Sequence, residues 1–223
     1  MKKNILLQSL MALMPAVYLL MIWNRLPELV PLHYNGDFKP DNMGSRTEML
    51  IVLLVMAAAN IVTCLVVGNM KRIDPKKNYT EPDSIVTKLT WAITLFLSAI
   101  GVIIVYMTSR YANDGSVGAS GNLLIAMVCL LFSVLGNFMN NIRPNWFIGI
   151  RTPWTMEDDE NWRLTHRLAS RLWFFGGLMM FTLSLTLPAE YGIYVILGGA
   201  AILVGIPAFY SYSIFRKKQN QNP

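Results

Sequence analysis

The chain has 223 residues, of which 54% are hydrophobic and only 14% charged, well below the roughly 25% charge of a soluble domain. Its charge-free stretches fall at 4–24, 49–70, 89–109, 115–142, 172–189 and 191–215, each near or above the about 20 residues that cross a hydrocarbon core. The connecting stretches are too short for a soluble catalytic domain, so the expected fold is all-α, a polytopic membrane protein with six transmembrane helices.

The first span follows Lys2 and Lys3 and contains Pro15, where a kink is expected. A secretory signal begins in the same way, but Met21, Ile22, Trp23 and Asn24 offer no small-residue cleavage site, and the span reads as retained. Between spans one and two, Pro27 and Pro31 hold their predecessors extended while Gly36, Pro40 and Gly44 punctuate turns, so an extended arm followed by compact turns is expected. His33, Asn35 and Asp41 in that loop are a candidate ligand cluster; the alternative is that they hydrogen-bond neighbouring loop backbone. Asn60 and Thr63 in span two read as helix-packing groups. The stretch Ser109 to Gly121 reads as a flexible Gly- and Ser-rich loop. Glu190 lies in a tight turn between spans five and six, and Gly198, Gly199, Ala200, Ala201 and Gly205 suit close helix contact in span six. The chain divides into 1–70, 71–121, 122–215 and a basic tail at 216–223.

Basic residues mark the orientation. With the amino terminus inside, the inner segments hold Lys2, Lys3, Lys71, Arg72, Lys76, Lys77, Lys88, Arg143, Arg151, Arg163, Arg167, Arg171, Arg216, Lys217 and Lys218. The outer ones hold only Arg25, Lys39, Arg46 and Arg110, which indicates that both termini are cytoplasmic. Basicity is thereby accounted for without direct nucleic-acid binding. The spans carry no Asp, Glu, Lys or Arg, which argues against ion-coupled transport. Cys64 and Cys129 lie within spans as small apolar residues, and the two histidines fall on opposite faces of the bilayer, so neither a disulfide, a metal site nor a cofactor is expected.

The densest segment follows span four. Thr155 and Asp158 have capping-box spacing, so a helix over Thr155 to Arg171 is expected, with Glu157 to Glu160 in its first turn and arginines further on. Three readings stand for its neighbourhood. Trp146, Phe147, Trp154, Trp162 and Trp173 form an aromatic belt at headgroup depth, with the arginines on lipid phosphates. Alternatively Gly149 permits close backbone approach while Arg143, Arg151 and His166 present donors to an anionic group on a partner. In the third reading His166 is a general base oriented by Glu160, although residues six apart lie on different helix faces. Asn145, Trp146, Thr152 and Trp162 complete the candidate partner loop.

Two segments carry a resemblance. LPELVPLHYNGDFKPDNMGS resembles the motif of a domain of unknown function that precedes the SdpI domain, through His33, Asn35, Pro40 and Asp41, with Phe38 where a glycine is expected. RPNWFIGIRTPWTMEDDENWRLTHRLAS is similar to the signature of the SdpI-type immunity protein family, through Arg143, Pro144, Asn145, Gly149, Arg151, Thr152, Pro153, Trp154, Trp162, Thr165 and His166. The resemblance implies a non-enzymatic, six-span protein of the bacterial cell membrane that protects a cell from a secreted toxic peptide. It also implies a cytoplasmic transcription repressor as a partner, and a role in toxin resistance and signalling.

Overall fold

A computed structural model of the chain describes residues 2–73 and 83–221. Lys76 and Lys77, and most of the basic segment after span two, lie outside the described residues. The fold is mostly helical, and six helices are long and apolar enough to cross a membrane, as expected of a multi-pass membrane protein. They are α1 (Lys2–Met21), α2 (Arg46–Gly68), α4 (Asp83–Asp114), α5 (Ser120–Met139), α7 (Asp159–Thr186) and α8 (Gly192–Gln221), with short α3 (Met70–Ile73) and α6 (Pro153–Glu157) in the connections.

The six alternate in direction and pack as two groups. In the first, α1, α2 and α4 meet along small and polar residues. Pro15 of α1 seats against Gly101 of α4, where a β-carbon would lie 2.6 Å from the Pro15 ring. Gln8 donates to Thr90 at 3.0 Å, and the buried Asn60 amide reaches the Thr94 carbonyl at 3.5 Å, contacts that suit a membrane interior, where polar side chains find partners across helices. In the second group α5 and α7 touch backbone to backbone. A side chain at Gly177 would overlap the Ser133 backbone, and one at Gly136 would lie 2.8 Å from Trp173 Cβ. The glycines expected to bring helices together in α8 serve less evenly: Gly199 faces Met180, but Gly198 and Gly205 face open space.

The loop between α1 and α2 departs from an all-α chain. Its segments β1 (Leu29–Tyr34) and β2 (Pro40–Ser45) form an antiparallel hairpin, Leu29 opposite Ser45 and Tyr34 opposite Pro40. The expected arm is β1, and the residues read as compact turns supply its partner strand. Pro31 and Pro40 are tolerated because each strand of a two-stranded sheet has a free edge. Val30 is fully buried with Leu19, Leu26, Met49, Leu53 and Val105, so the hairpin is fastened onto the end of the first helix group. Ser45 then starts α2, its hydroxyl accepting from the Glu48 amide while the Glu48 carboxylate accepts from the Ser45 amide at 2.6 Å. Such a cap stabilises a helix by about 1 kcal/mol.

The flexible loop expected over 109–121 shrinks to Gly115–Ala119, because α4 continues through an Arg110–Asp114 ion pair (2.8 Å) and α5 begins at Ser120. Phe38, at the hairpin turn, crosses to this end of α5. Its ring occupies the space left by Gly121, where a β-carbon would come within 2.7 Å of it. Phe38 has φ 57°, a left-handed conformation that costs an L-residue about 1–2 kcal/mol. The ring's packing against both helix groups offsets it.

Candidate functional site

The segment 140–158 closes the end of the bundle opposite the hairpin. Its first turn is organised by Asn145, whose buried side-chain oxygen accepts from the Phe147 and Ile148 amides, both at 2.8 Å, while its amide donates to the Arg143 carbonyl at 2.8 Å. Asn145 is thus saturated by its own loop. The chain then passes over a stacked pair on α7, Trp162 and His166, one turn apart, with ring centroids 4.0 Å apart and planes inclined by 18°. Gly149 makes that passage possible. Its φ is 118°, which disfavours any side chain, and a β-carbon there would overlap His166 Nε2 and come within 3.0 Å of the Trp162 ring.

The hydrogen bonds fix the histidine's state. The Ile150 amide donates to His166 Nε2 at 3.0 Å, so that nitrogen carries no proton, and Nδ1, 2.8 Å from the Trp162 carbonyl, is the donor. Both ring nitrogens are engaged, and the residue is buried. Trp162 Nε1 donates to the Ile142 carbonyl at 3.0 Å, which ties the other side of the loop to α7. The close approach permitted by Gly149 is therefore occupied from within the chain.

Beyond Ile150, Thr152 caps α6 and Pro153 takes its first position, the place where proline's missing donor matters least. The buried Thr155 hydroxyl accepts from the Thr152 amide and donates to the Ile150 carbonyl, both at 2.9 Å. Asp158 ends α6 and caps α7, its carboxylate accepting from the Glu160 and Asn161 amides. The helix expected from Thr155 accordingly begins at Asp159. Two capping sequences overlap here, and Pro153 selects the earlier one for α6 while Asp158 claims the longer helix. As expected, that helix runs on without a break into span five.

Helix α8 supplies the opposite wall. Trp154 Nε1 donates to Ser211 Oγ at 2.6 Å, and its ring stacks on Phe215 with centroids 5.9 Å apart. Asn161, wholly buried, donates to the Ser211 carbonyl at 2.9 Å and accepts from Thr165 at 3.0 Å. Lys218 bridges Asp158 at 2.7 Å and Glu160 at 2.6 Å. The Lys218 ammonium holds the Asp158 carboxyl below the usual carboxylate range, aided by the two capping amides. Glu160, the group set to orient His166 in the enzymatic reading, thus faces Lys218.

Trp154, Trp162 and Trp173 are bound into the bundle, the last donating to the Leu203 carbonyl at 2.7 Å. Only Trp146 of the four stays well exposed, at 43%. With Arg151, whose guanidinium donates to the Trp146 carbonyl, and with Thr152, Pro153, Met156 and Glu157, it lines an open groove of about 530 Å³. Arg143 is also exposed. The named loop residues thus separate into an interior set (Asn145, Gly149, Trp162, His166), a seam to α8 (Trp154) and an outward set (Arg143, Trp146, Arg151, Thr152). Asn161 and Ser211 were not singled out from the sequence, Thr155 was read only as a helix cap and Lys218 only as a basic residue marking orientation. Only Asn161 and Thr165, one helical turn apart, carried a periodic hint.

At the hairpin end His33 Nδ1 and Asp41 Oδ1 are 2.6 Å apart and exposed. Asn35 turns the other way, its side-chain oxygen accepting from the Asp37 and Lys39 amides at 3.0 and 2.9 Å. It builds the turn. Among the described residues no group of three or more His, Cys, Asp or Glu side chains is placed to hold a metal.

Comparisons with known proteins fall on these two regions. Residues 141–211, from the loop to Ser211, match the SdpI/YfhL protein family, and residues 10–58, around the hairpin, match a domain of unknown function (DUF1648). The chain is 24% identical to Immunity protein SdpI of Bacillus subtilis (strain 168) over 220 residues, covering 97% of this chain and 98% of that relative. No solved structure matches significantly. The chain therefore carries an SdpI/YfhL-type domain over 141–211, preceded by the domain of unknown function over 10–58.

Proposed function

We propose that this chain is a non-enzymatic immunity protein of the bacterial cell membrane, with both termini cytoplasmic, that protects the cell against a secreted toxic peptide. The observation that carries this reading is the nearly end-to-end alignment with a protein named for immunity. The excess of basic residues on one set of connections supports the orientation. The non-enzymatic reading is supported by His166 and Glu160, each committed to a structural partner rather than to the other. In this reading the hairpin, with His33 and Asp41 exposed on it, meets the peptide outside, and the 140–158 loop lies in the cytoplasm.

Expression in a susceptible bacterium, followed by exposure to medium from a toxin-producing relative, tests the proposal. Survival should rise with the wild-type chain at verified membrane abundance. Unchanged killing across such toxins refutes it.

A second reading is favoured by the groove beside Trp146 and Arg151, which offers an exposed ring and a guanidinium together. There the loop recruits a cytoplasmic transcription repressor. A photo-cross-linker placed at Trp146 that captures only lipid in cells rejects that reading and leaves immunity intact.

A further inference from the structure

Helix α7 has two unlike faces. One is buried and carries Trp162, Thr165, His166, Ala169, Gly177, Met180 and Ser184. On the opposite side Arg163, Arg167 and Arg171 recur every fourth residue, drifting only about 40° per step around the helix, and all three are exposed. The same exposed face continues without interruption into Phe174, Phe175 and Leu178, the second of them 67% exposed. Among the described residues that apolar stretch is covered only in part, and in a spanning helix the neighbour of its exposed side is lipid. The arginines therefore look out in the same direction as the lipid-facing surface, just beyond its end.

The depth fits as well. Arg171 is the last charged residue before the charge-free run 172–189, which puts it at the edge of the hydrocarbon. The headgroup layer adds about 5–8 Å on each side of the core, and Arg167 stands about 6 Å further along the axis. Arg163, about 12 Å from Arg171, stands beyond that layer. The nearby acids do not neutralise the column: Asp158 and Glu160 are held by Lys218, and among the described residues no ion pair joins any of the three arginines to a carboxylate. The guanidinium groups of Arg167 and Arg171, always charged and suited to bidentate contact with phosphate oxygens, are left at headgroup depth facing the bilayer.

We propose that this strip binds an anionic phospholipid, its phosphate clamped between Arg167 and Arg171 and an acyl chain lying along Phe174, Phe175 and Leu178. The lipid contact at this end of the bundle is then made by arginines of α7, while the neighbouring tryptophans hold helices together.

The full chain, purified in a neutral detergent, is titrated with short-chain phosphatidylglycerol, phosphatidylcholine or inorganic phosphate. Thermal unfolding is followed by tryptophan fluorescence, and lipid adducts are counted by native mass spectrometry. Phosphatidylglycerol should stabilise the protein saturably and survive as an adduct. In Arg167→Gln/Arg171→Gln the half-saturating concentration should rise about tenfold or more, two basic residues near a membrane surface being lost. Arg167→Lys/Arg171→Lys, which keeps the charge but loses the fork, should fall between the two and serves if the glutamine variant does not fold. Equal stabilisation by phosphatidylcholine overturns the proposal, as does equal affinity in all variants. Inorganic phosphate reproducing the shift at comparable concentration also overturns it, by making the strip a site for a free anion.

Discussion

Replacing Gly149 with alanine should strike the loop at its narrowest point. At φ 118° a β-carbon is strained wherever space exists, at a cost of about 1–3 kcal/mol. Here space is also missing, since the methyl overlaps His166 Nε2. The imidazole must swing away, and the Ile150 amide loses its acceptor, a further loss of about 1–3 kcal/mol for a buried donor left unpaired. The expected total is about 2–6 kcal/mol, a large share of the roughly 5–15 kcal/mol that stabilises a typical protein. Unfolding in mixed detergent micelles, read by tryptophan fluorescence, measures it. The companion variant His166→Ala removes the obstacle, so in the double variant the second loss falls away and only the backbone strain should add. The two changes must then be less than additive by about 1–3 kcal/mol. A Gly149→Ala protein within about 0.5 kcal/mol of wild type, or strictly additive variants, refutes this account of the loop.

Two further outcomes test the rest of the bundle. Gly177→Leu should abolish accumulation of folded protein, because overpacking costs about 1–3 kcal/mol even against movable side chains and here the obstacle is the Ser133 backbone. Gly198→Leu, which faces open space, should accumulate normally; equal yields of the two contradict the packing of α5 on α7. Acid should loosen the end of α8. The Asp158 carboxyl is held below its usual range by Lys218, so the stabilisation is present above the unfolded value of about 3.9 and lost as pH falls through the lower folded value. Motion of a spin label placed at Gln221 should quicken below about pH 4 in wild type. In Lys218→Ala it should already be fast at neutral pH, and identical profiles contradict the clasp.

Much of this architecture was legible in the chain. The bilayer imposes a length and an absence of charge that soluble folds do not, so the six charge-free runs map onto six helices. Ends and contacts were harder to read. Ser109 to Asp114 is helical despite its polar composition, because an i, i+4 ion pair carries α4 past the span. Glycine content pointed to α8, whereas the helix pair that meets backbone to backbone does so at Gly136 and Gly177, since abundance does not say which face a neighbour covers. The hairpin escaped notice because its second strand, PDNMGS, has the composition of a turn and is extended through pairing. For the loop, residue types suggested an outward-facing cup or belt. The ring of Trp154 instead joins α6 to α8 and that of Trp162 ties the loop to α7, a distinction that amphipathic side chains do not disclose until their partners are placed.

Ser211 has a consequence beyond its size. Its hydroxyl receives Trp154 from α6 and its carbonyl receives Asn161 from α7, while Lys218, about two turns further along the same helix, holds Asp158 and Glu160. Helix α6, the start of α7 and the residue that joins them are thereby pinned to one rod. A slide of α8 by a single turn releases all of these pins together, so the segment from Thr152 to His166 opens as one cooperative unit, with amide exchange governed by a shared event rather than by each residue's own exposure. The helix with the smallest share of its surface inside the protein is thus the one that sets the shape of the loop.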